Sequence, residues 1–104
     1  MYTGDRFYKT AKWRRVRQAV LTRDRYRCVE CARYGRVAEA TTVHHVLPRR
    51  AYPRLSYAGW ALVSLCAACH DRAHTQDGRL SVNGIDLMRR TLRKAGRAIP
   101  AEYC

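Results

Sequence analysis

Two C-x-x-C pairs and two histidine pairs carry the chemistry open to this chain. Cys28 and Cys31 form the first cysteine pair, Cys66 and Cys69 the second. Together they supply four thiolates, enough to close a tetrahedral structural zinc site with no position left open. His44-His45 lies between the pairs, and His70-x-x-x-His74 begins directly after Cys69. Four residues apart on a helix, His70 and His74 share a face and are close enough to share an ion. His44 and His45 are neighbours in a β-branched, apolar stretch, so as strand residues they point to opposite faces. That geometry suits a division of labour, with one histidine as metal ligand and the other as general base. A closed structural metal, an open histidine site and a basic surface together point to a metal-dependent nuclease.

Thirty-four residues separate Cys31 from Cys66, longer than a simple zinc-ribbon loop. An insertion bearing His44-His45 must therefore sit between the two knuckles, clamped at its ends by the metal. A mixed site of Cys66, Cys69, His70 and His74 is the competing assignment. It strands Cys28 and Cys31 and crowds the adjacent Cys69 and His70 onto one ion. Two disulfides plus a spare thiol would suit a secreted scaffold. The N-terminus lacks the apolar stretch of a secretory signal, which favours a reducing cytoplasm. Cys104, the fifth cysteine and last residue, reads as a free thiol without a role.

At 104 residues the chain reads as one small domain spanning 1–104. Its core must be modest, so a structural zinc would supply much of the folding free energy. Against 8 acidic residues stand 21 Lys and Arg, a formal net charge of +13. Such an excess favours a polyanion, with nucleic acid first. No segment approaches the apolar length of a membrane helix, and no long apolar face opposes the charge, so no membrane partner is expected. The candidates for backbone contact are Lys12, Arg14, Arg15, Arg17, Arg49, Arg50 and Arg72. Contacts of this kind position the duplex without reading bases, so low sequence selectivity is expected.

The elements that must position these residues follow from periodicity and caps. Residues 1–9 read as an arm with aromatic anchors at Tyr2, Phe7 and Tyr8. Thr10 caps a predicted basic helix over 11–23, with Trp13, Val16, Ala19 and Val20 on its apolar stripe. The first C-x-x-C forms a tight knuckle, and Tyr34-Gly35-Arg36 a turn. A strand is predicted over 40–46 and stopped by Pro48; residues 49–58 read as a loop. A second short strand runs from Trp60 to Leu65, though its apolar residues fit no strict period. A helix over about 67–75 follows, then the turn signal Gln76-Asp77-Gly78. Asn83 is the expected cap of a basic last helix over about 84–95, with Ile85, Met88 and Leu92 on one face. The first and last helices are expected to line a basic groove.

Several stretches resemble the HNH endonucleases, the ββα-metal or His-Me finger nucleases, and in particular the small phage-type members. They are F-Y-K-T-A-K-W from Phe7, C-V-E-C, T-V-H-H-V-L-P, L-V-S-L-C-A-A-C-H and the trailing His74. They span Phe7 to His74, with the motif core at about 28–75, and two C-x-x-C knuckles around H-H are the most telling part. The resemblance implies an α+β fold, a small ββα-metal domain with a four-cysteine structural zinc site and flanking basic helices. It implies that His44 binds a catalytic divalent ion with His70 and His74, and that His45 is the general base. The ion is left open among magnesium, manganese, nickel and zinc. The implied reaction is hydrolysis of a DNA phosphodiester to a 5′-phosphate and a 3′-hydroxyl. A phage or prophage setting is implied as well, in the cytoplasm of a bacterial or phage-infected cell, where such enzymes accompany the terminase and portal proteins.

One position departs from that pattern. The family's middle residue is an asparagine nine before His70, and here it is Ala61. In the family that side chain holds the histidine-bearing loop in shape by hydrogen bonds, and alanine has neither donor nor acceptor. Impaired cleavage is the expectation that follows. The alternative reading is a zinc-stabilised DNA-binding module that does not cut, and a weaker third is an RNA-directed nuclease or binder.

Overall fold

The computed structural model describes residues 6–103. The expectations for Tyr2 and Cys104 fall outside that range. Thr10 opens the first helix, α1 (Ala11–Arg23), and its hydroxyl accepts the Trp13 N–H at 3.2 Å. This satisfies one of the donors that a helix start leaves without a partner. Trp13 and Val20, two turns apart, are buried, and Leu21 joins them. Ala19 is exposed, contrary to its place on the predicted stripe; Val16 and Arg17 take the half-buried flank instead.

Beyond α1, Arg25 and Tyr26 adopt left-handed φ values of 57° and 56°. For residues other than glycine, such backbone costs about 1–3 kcal/mol each. The turn is closed by the Tyr26 N–H, which donates to the Leu21 carbonyl at 2.8 Å. The reversed chain enters a short helix inside the first C-x-x-C, α2 (Val29–Arg33), where sequence predicted only a knuckle.

Strands β1 (Thr42–His45) and β2 (Leu62–Leu65) pair antiparallel, with Thr42 opposite Leu65 and His45 opposite Leu62. Both are shorter than predicted. Residues Gly59–Ala61 curl into a 3-10 turn before β2, and Pro53–Leu55 form another within the predicted loop. Every residue of β2 is buried. Val63 and Leu65 pack into a core with Val46, Leu87, Met88, Leu92 and three of the cysteines; Leu62 packs into a second core with Trp13, Val20 and Val43. A strand covered on both faces has no reason to alternate, hence the missing period.

The helix after β2, α3 (Ala67–Arg72), stops short of Thr75. The last helix, α4 (Val82–Lys94), is capped by Ser81, whose hydroxyl accepts the Gly84 N–H at 3.1 Å. Asn83, the predicted cap, already lies in the first turn. Gly96, at φ 71°, ends α4, and Arg97 N–H reaches back to the Leu92 carbonyl at 2.8 Å. Gly84 is there for close approach: a Cβ on it would sit 2.1 Å from the Ala73 carbonyl oxygen. This contact seats α4 against the end of α3, beside His74. Among the described residues, no helix is long and apolar enough to cross a membrane.

Candidate active site

The two knuckles are built alike. Cys28 is the N-cap of α2 with Cys31 three residues on; Cys66 is the N-cap of α3 with Cys69 three residues on. Cys28 Sγ accepts the Cys31 N–H at 3.4 Å. The four sulfurs lie within 4.8 Å of one another. Cys31 Sγ is 3.8 Å from Cys66 Sγ and 3.7 Å from Cys69 Sγ. Four thiolates around zinc at about 2.3 Å would stand about 3.8 Å apart, so the spacing fits a tetrahedral zinc. It does not fit a disulfide, whose sulfurs are about 2.05 Å apart.

His70 and His74 turn away from those sulfurs and group with His44, so the mixed cysteine-histidine arrangement is not the one the fold makes. The ligand nitrogens of His44, His70 and His74 all lie within 4.8 Å of one another. Their ring centroids are 5.0–5.2 Å apart and the rings stand 68–88° to each other, edge toward face. β1 delivers His44 to the α3 side of the sheet; α3 delivers His70, and His74 follows just past its end. His44 is 1% exposed, and its Nε2 is buried without a hydrogen-bond partner. A buried polar atom in that state calls for a ligand. His74 Nδ1 lies 3.3 Å from the His70 carbonyl, a contact that puts the proton on Nδ1 and leaves Nε2 free to ligate. Burial, reinforced by the neighbouring imidazoles, presses the pKa of His44 well below the ordinary value, and burial lowers that of His70. Neutral imidazole is the form that binds a divalent ion, and the three converging nitrogens fit one.

His45 points the other way, toward α1. Its ring stacks on Trp13 at 5.1 Å between centroids and 19° between planes, with Phe7 at 5.8 Å. Its Nε2 lies 3.1 Å from the Ser56 carbonyl. A carbonyl only accepts, so Nε2 carries the proton and Nδ1 keeps its lone pair. Burial lowers the His45 pKa; the Ser56 carbonyl opposes that shift and the Arg49 charge adds to it. The ring is thereby held neutral and fixed, the state a general base needs.

One cavity of about 1510 Å³ is lined by all four histidines, with Trp13, Tyr8 and the cations Arg17, Arg49, Arg50 and Arg79. Of the candidate backbone contacts, Arg17, Arg49 and Arg50 line it. Lys12 sits over the Tyr57 ring at 4.2 Å, Arg14 donates to the Lys9 carbonyl, and Arg15 is exposed on α1. Arg72 is elsewhere: it donates to Cys69 Sγ at 3.3 Å and lines a smaller cavity beside the cysteine set. No residue of α4 lines the large cavity, contrary to the expected groove between first and last helices. Sequence reasoning missed Arg79, which reaches the cavity because His74 and Leu80 bridge across the 75–79 turn. It also missed the aromatic surround of His45, although Phe7 and Tyr8 were legible as anchors and Trp13 as part of the apolar stripe of the first helix.

Ala61, at the departed position, is 2% exposed and part of the core. Its carbonyl accepts the Val46 N–H at 3.0 Å, directly after His45.

The family model of the HNH endonucleases matches residues 28–76, a span that takes in both cysteine pairs and all four histidines. Among solved structures the chain is similar to the HNH endonuclease of the deep-sea thermophilic bacteriophage GVE2, crystallised with manganese ion. The two share 36% identity and a TM-score of 0.62, over 64% of this chain and 72% of that one. No curated protein sequence matches the chain. At that identity and coverage the likeness reaches beyond fold, and the chain belongs to the HNH endonuclease family.

Proposed function

We propose that the chain is a metal-dependent DNA endonuclease with His45 as its general base. The observation that carries this reading is the shared cavity: three imidazoles converge on one point while a fourth, held by the Ser56 carbonyl, offers Nδ1 from the opposite face of β1. His44, His70 and His74 would hold a divalent ion, which would supply positive charge to offset the negative charge that builds up in phosphodiester hydrolysis. His45 Nδ1 takes the proton from the attacking water. Arg17, Arg49, Arg50 and Arg79 draw the phosphate backbone into the cavity and hold it there. Trp13 stacked on His45 restricts the imidazole to one plane, which fixes the direction of proton transfer.

Imidazole ligands suit nickel and zinc, and substrate oxygens extend the range to manganese and magnesium. The manganese crystallised with the GVE2 enzyme makes manganese the first ion to try. Ala61 supports the alternative of a binding module, since the family's side-chain tether is missing there. A nicking assay on supercoiled plasmid with these four ions separates the readings, with an Ala61→Asn variant beside the parent. Cutting by the parent supports the endonuclease. Cutting by the asparagine form alone means a disabled nuclease. Duplex binding without cutting by either means a binding module. Substituting RNA for DNA in the same assay tests the substrate class.

A further inference from the structure

The loop that fixes His45 is tied down from a distant element. Arg23 is the last residue of α1, yet its guanidinium reaches across to the segment leading into β2. Nη1 donates to the Gly59 carbonyl at 2.8 Å and Nη2 to the Leu62 carbonyl at 2.7 Å. These two acceptors bracket the Gly59–Ala61 turn. Nε and Nη2 also donate to the two carboxylate oxygens of Asp24, each at 2.9 Å. Asp24 Oδ2 in turn accepts the Ser64 N–H at 3.1 Å, in the middle of β2. One fork and one carboxylate thus grip three backbone groups within residues 59–64.

That grip has a route to the reaction. Between Val46 and Ala61 the chain makes a closed excursion, tied at its base by the Val46 N–H to Ala61 carbonyl bond at 3.0 Å. Ser56, whose carbonyl holds His45 Nε2, sits inside that excursion. Its own hydroxyl donates to the Pro53 carbonyl at 2.7 Å, so Ser56 moves with the loop. At position 61, within the bracketed turn, alanine offers no side-chain hydrogen bond, so the turn is held through its carbonyls.

We infer that Arg23, oriented by Asp24, is a positioning residue for His45, bracing the exit of the 46–61 loop by bridging the Gly59 and Leu62 carbonyls. This role rests on the reading of His45 as general base. A guanidinium is required because its planar fork spaces donors for two carbonyls and one carboxylate at once; an ammonium carries the charge without that geometry. Arg23 does not line the large cavity, so it is set apart from the arginines that face it.

The test is steady-state plasmid nicking at saturating manganese, comparing the parent, Arg23→Ala and Arg23→Lys at several DNA concentrations. The expected result is a fall in kcat of about 10–100-fold for Arg23→Ala, the scale of a small misplacement of a catalytic group. KM for DNA and the metal content should stay at parent values. Arg23→Lys should keep the parent's thermal stability and KM while recovering little of kcat. Hydrogen exchange at the Val46 amide should quicken in both variants, with the Cys28 and Cys31 amides unchanged. Parent-like kcat in Arg23→Lys, or a loss confined to KM, would overturn the role and leave a cation that merely attracts DNA. If the parent itself cuts in no ion, the nuclease reading fails first and this role with it.

Discussion

The cysteine set and the histidine set share a hinge and differ in everything else. Cys69 and His70 are consecutive residues of α3, yet one turns into the core and the other into the cavity. Three of the four cysteines are buried, and the sulfurs enclose a space just large enough for one tetrahedral ion. Of the three converging histidines only His44 is buried; His70 and His74 are half-buried on the wall of the large cavity. On the proposed reading, the difference separates a metal that would make the fold from a metal that would do chemistry. A structural zinc contributes about 10–16 kcal/mol in small zinc domains. Whole domains are stable by only about 5–15 kcal/mol. The frame should therefore not survive loss of its zinc, whereas the open site should be dispensable to folding.

Breaking the frame gives the largest effect. Cys69→Ser should remove most of the folding free energy, about 10 kcal/mol on the zinc-domain scale, and a circular-dichroism melt should show no cooperative transition. His70→Ala, one residue on, should leave a cooperative melt and full zinc content. It should lose the second ion and all measurable cutting, read by elemental analysis and plasmid nicking. If His70→Ala unfolds as Cys69→Ser does, the contrast between the two sets is wrong. Gly84→Ala sharpens the contrast more gently. Forcing a methyl against the Ala73 carbonyl should cost about 1–3 kcal/mol of stability. It should displace His74, lowering affinity for the second ion in a competition titration while zinc stays bound. Smallest of all is Arg17→Ala, which touches neither set. It should weaken DNA binding evenly across sequences and reduce the slope of log affinity against log salt by about 1.

How legible all this is in the sequence depends on how local each cause is. The bounds of α1 follow from Thr10 and the spacing of Trp13 and Val20, and the structure keeps them. The cysteine spacing announces two knuckles, because zinc geometry is a short-range constraint. The juxtaposition of His44 with His70 and His74 rests on one sheet register, which a motif implies but spacing alone does not. β2 has no readable period since both its faces are covered. The cap of α4 is Ser81, whose hydroxyl outreaches Asn83 by preceding the turn it caps. Expecting α4 on the groove fails because the fold sets none of its residues on the cavity: Arg90 pairs with Glu30 at 2.9 Å, Arg89 holds the Tyr103 carbonyl, and the exposed Arg93 and Lys94 do not line it. Arg23 and Arg79 are invisible for a common reason. Each becomes important only through a partner or a turn that the fold supplies.

The central claim is that His45, and not the metal site alone, carries the proton transfer. The direct measurement is the nicking rate of supercoiled plasmid by the parent and by His45→Ala, in manganese, with both proteins assayed for zinc and second-ion content. The expected result is equal metal content and a rate about 10²–10⁴-fold lower for His45→Ala. Equal rates with the metals bound would contradict it.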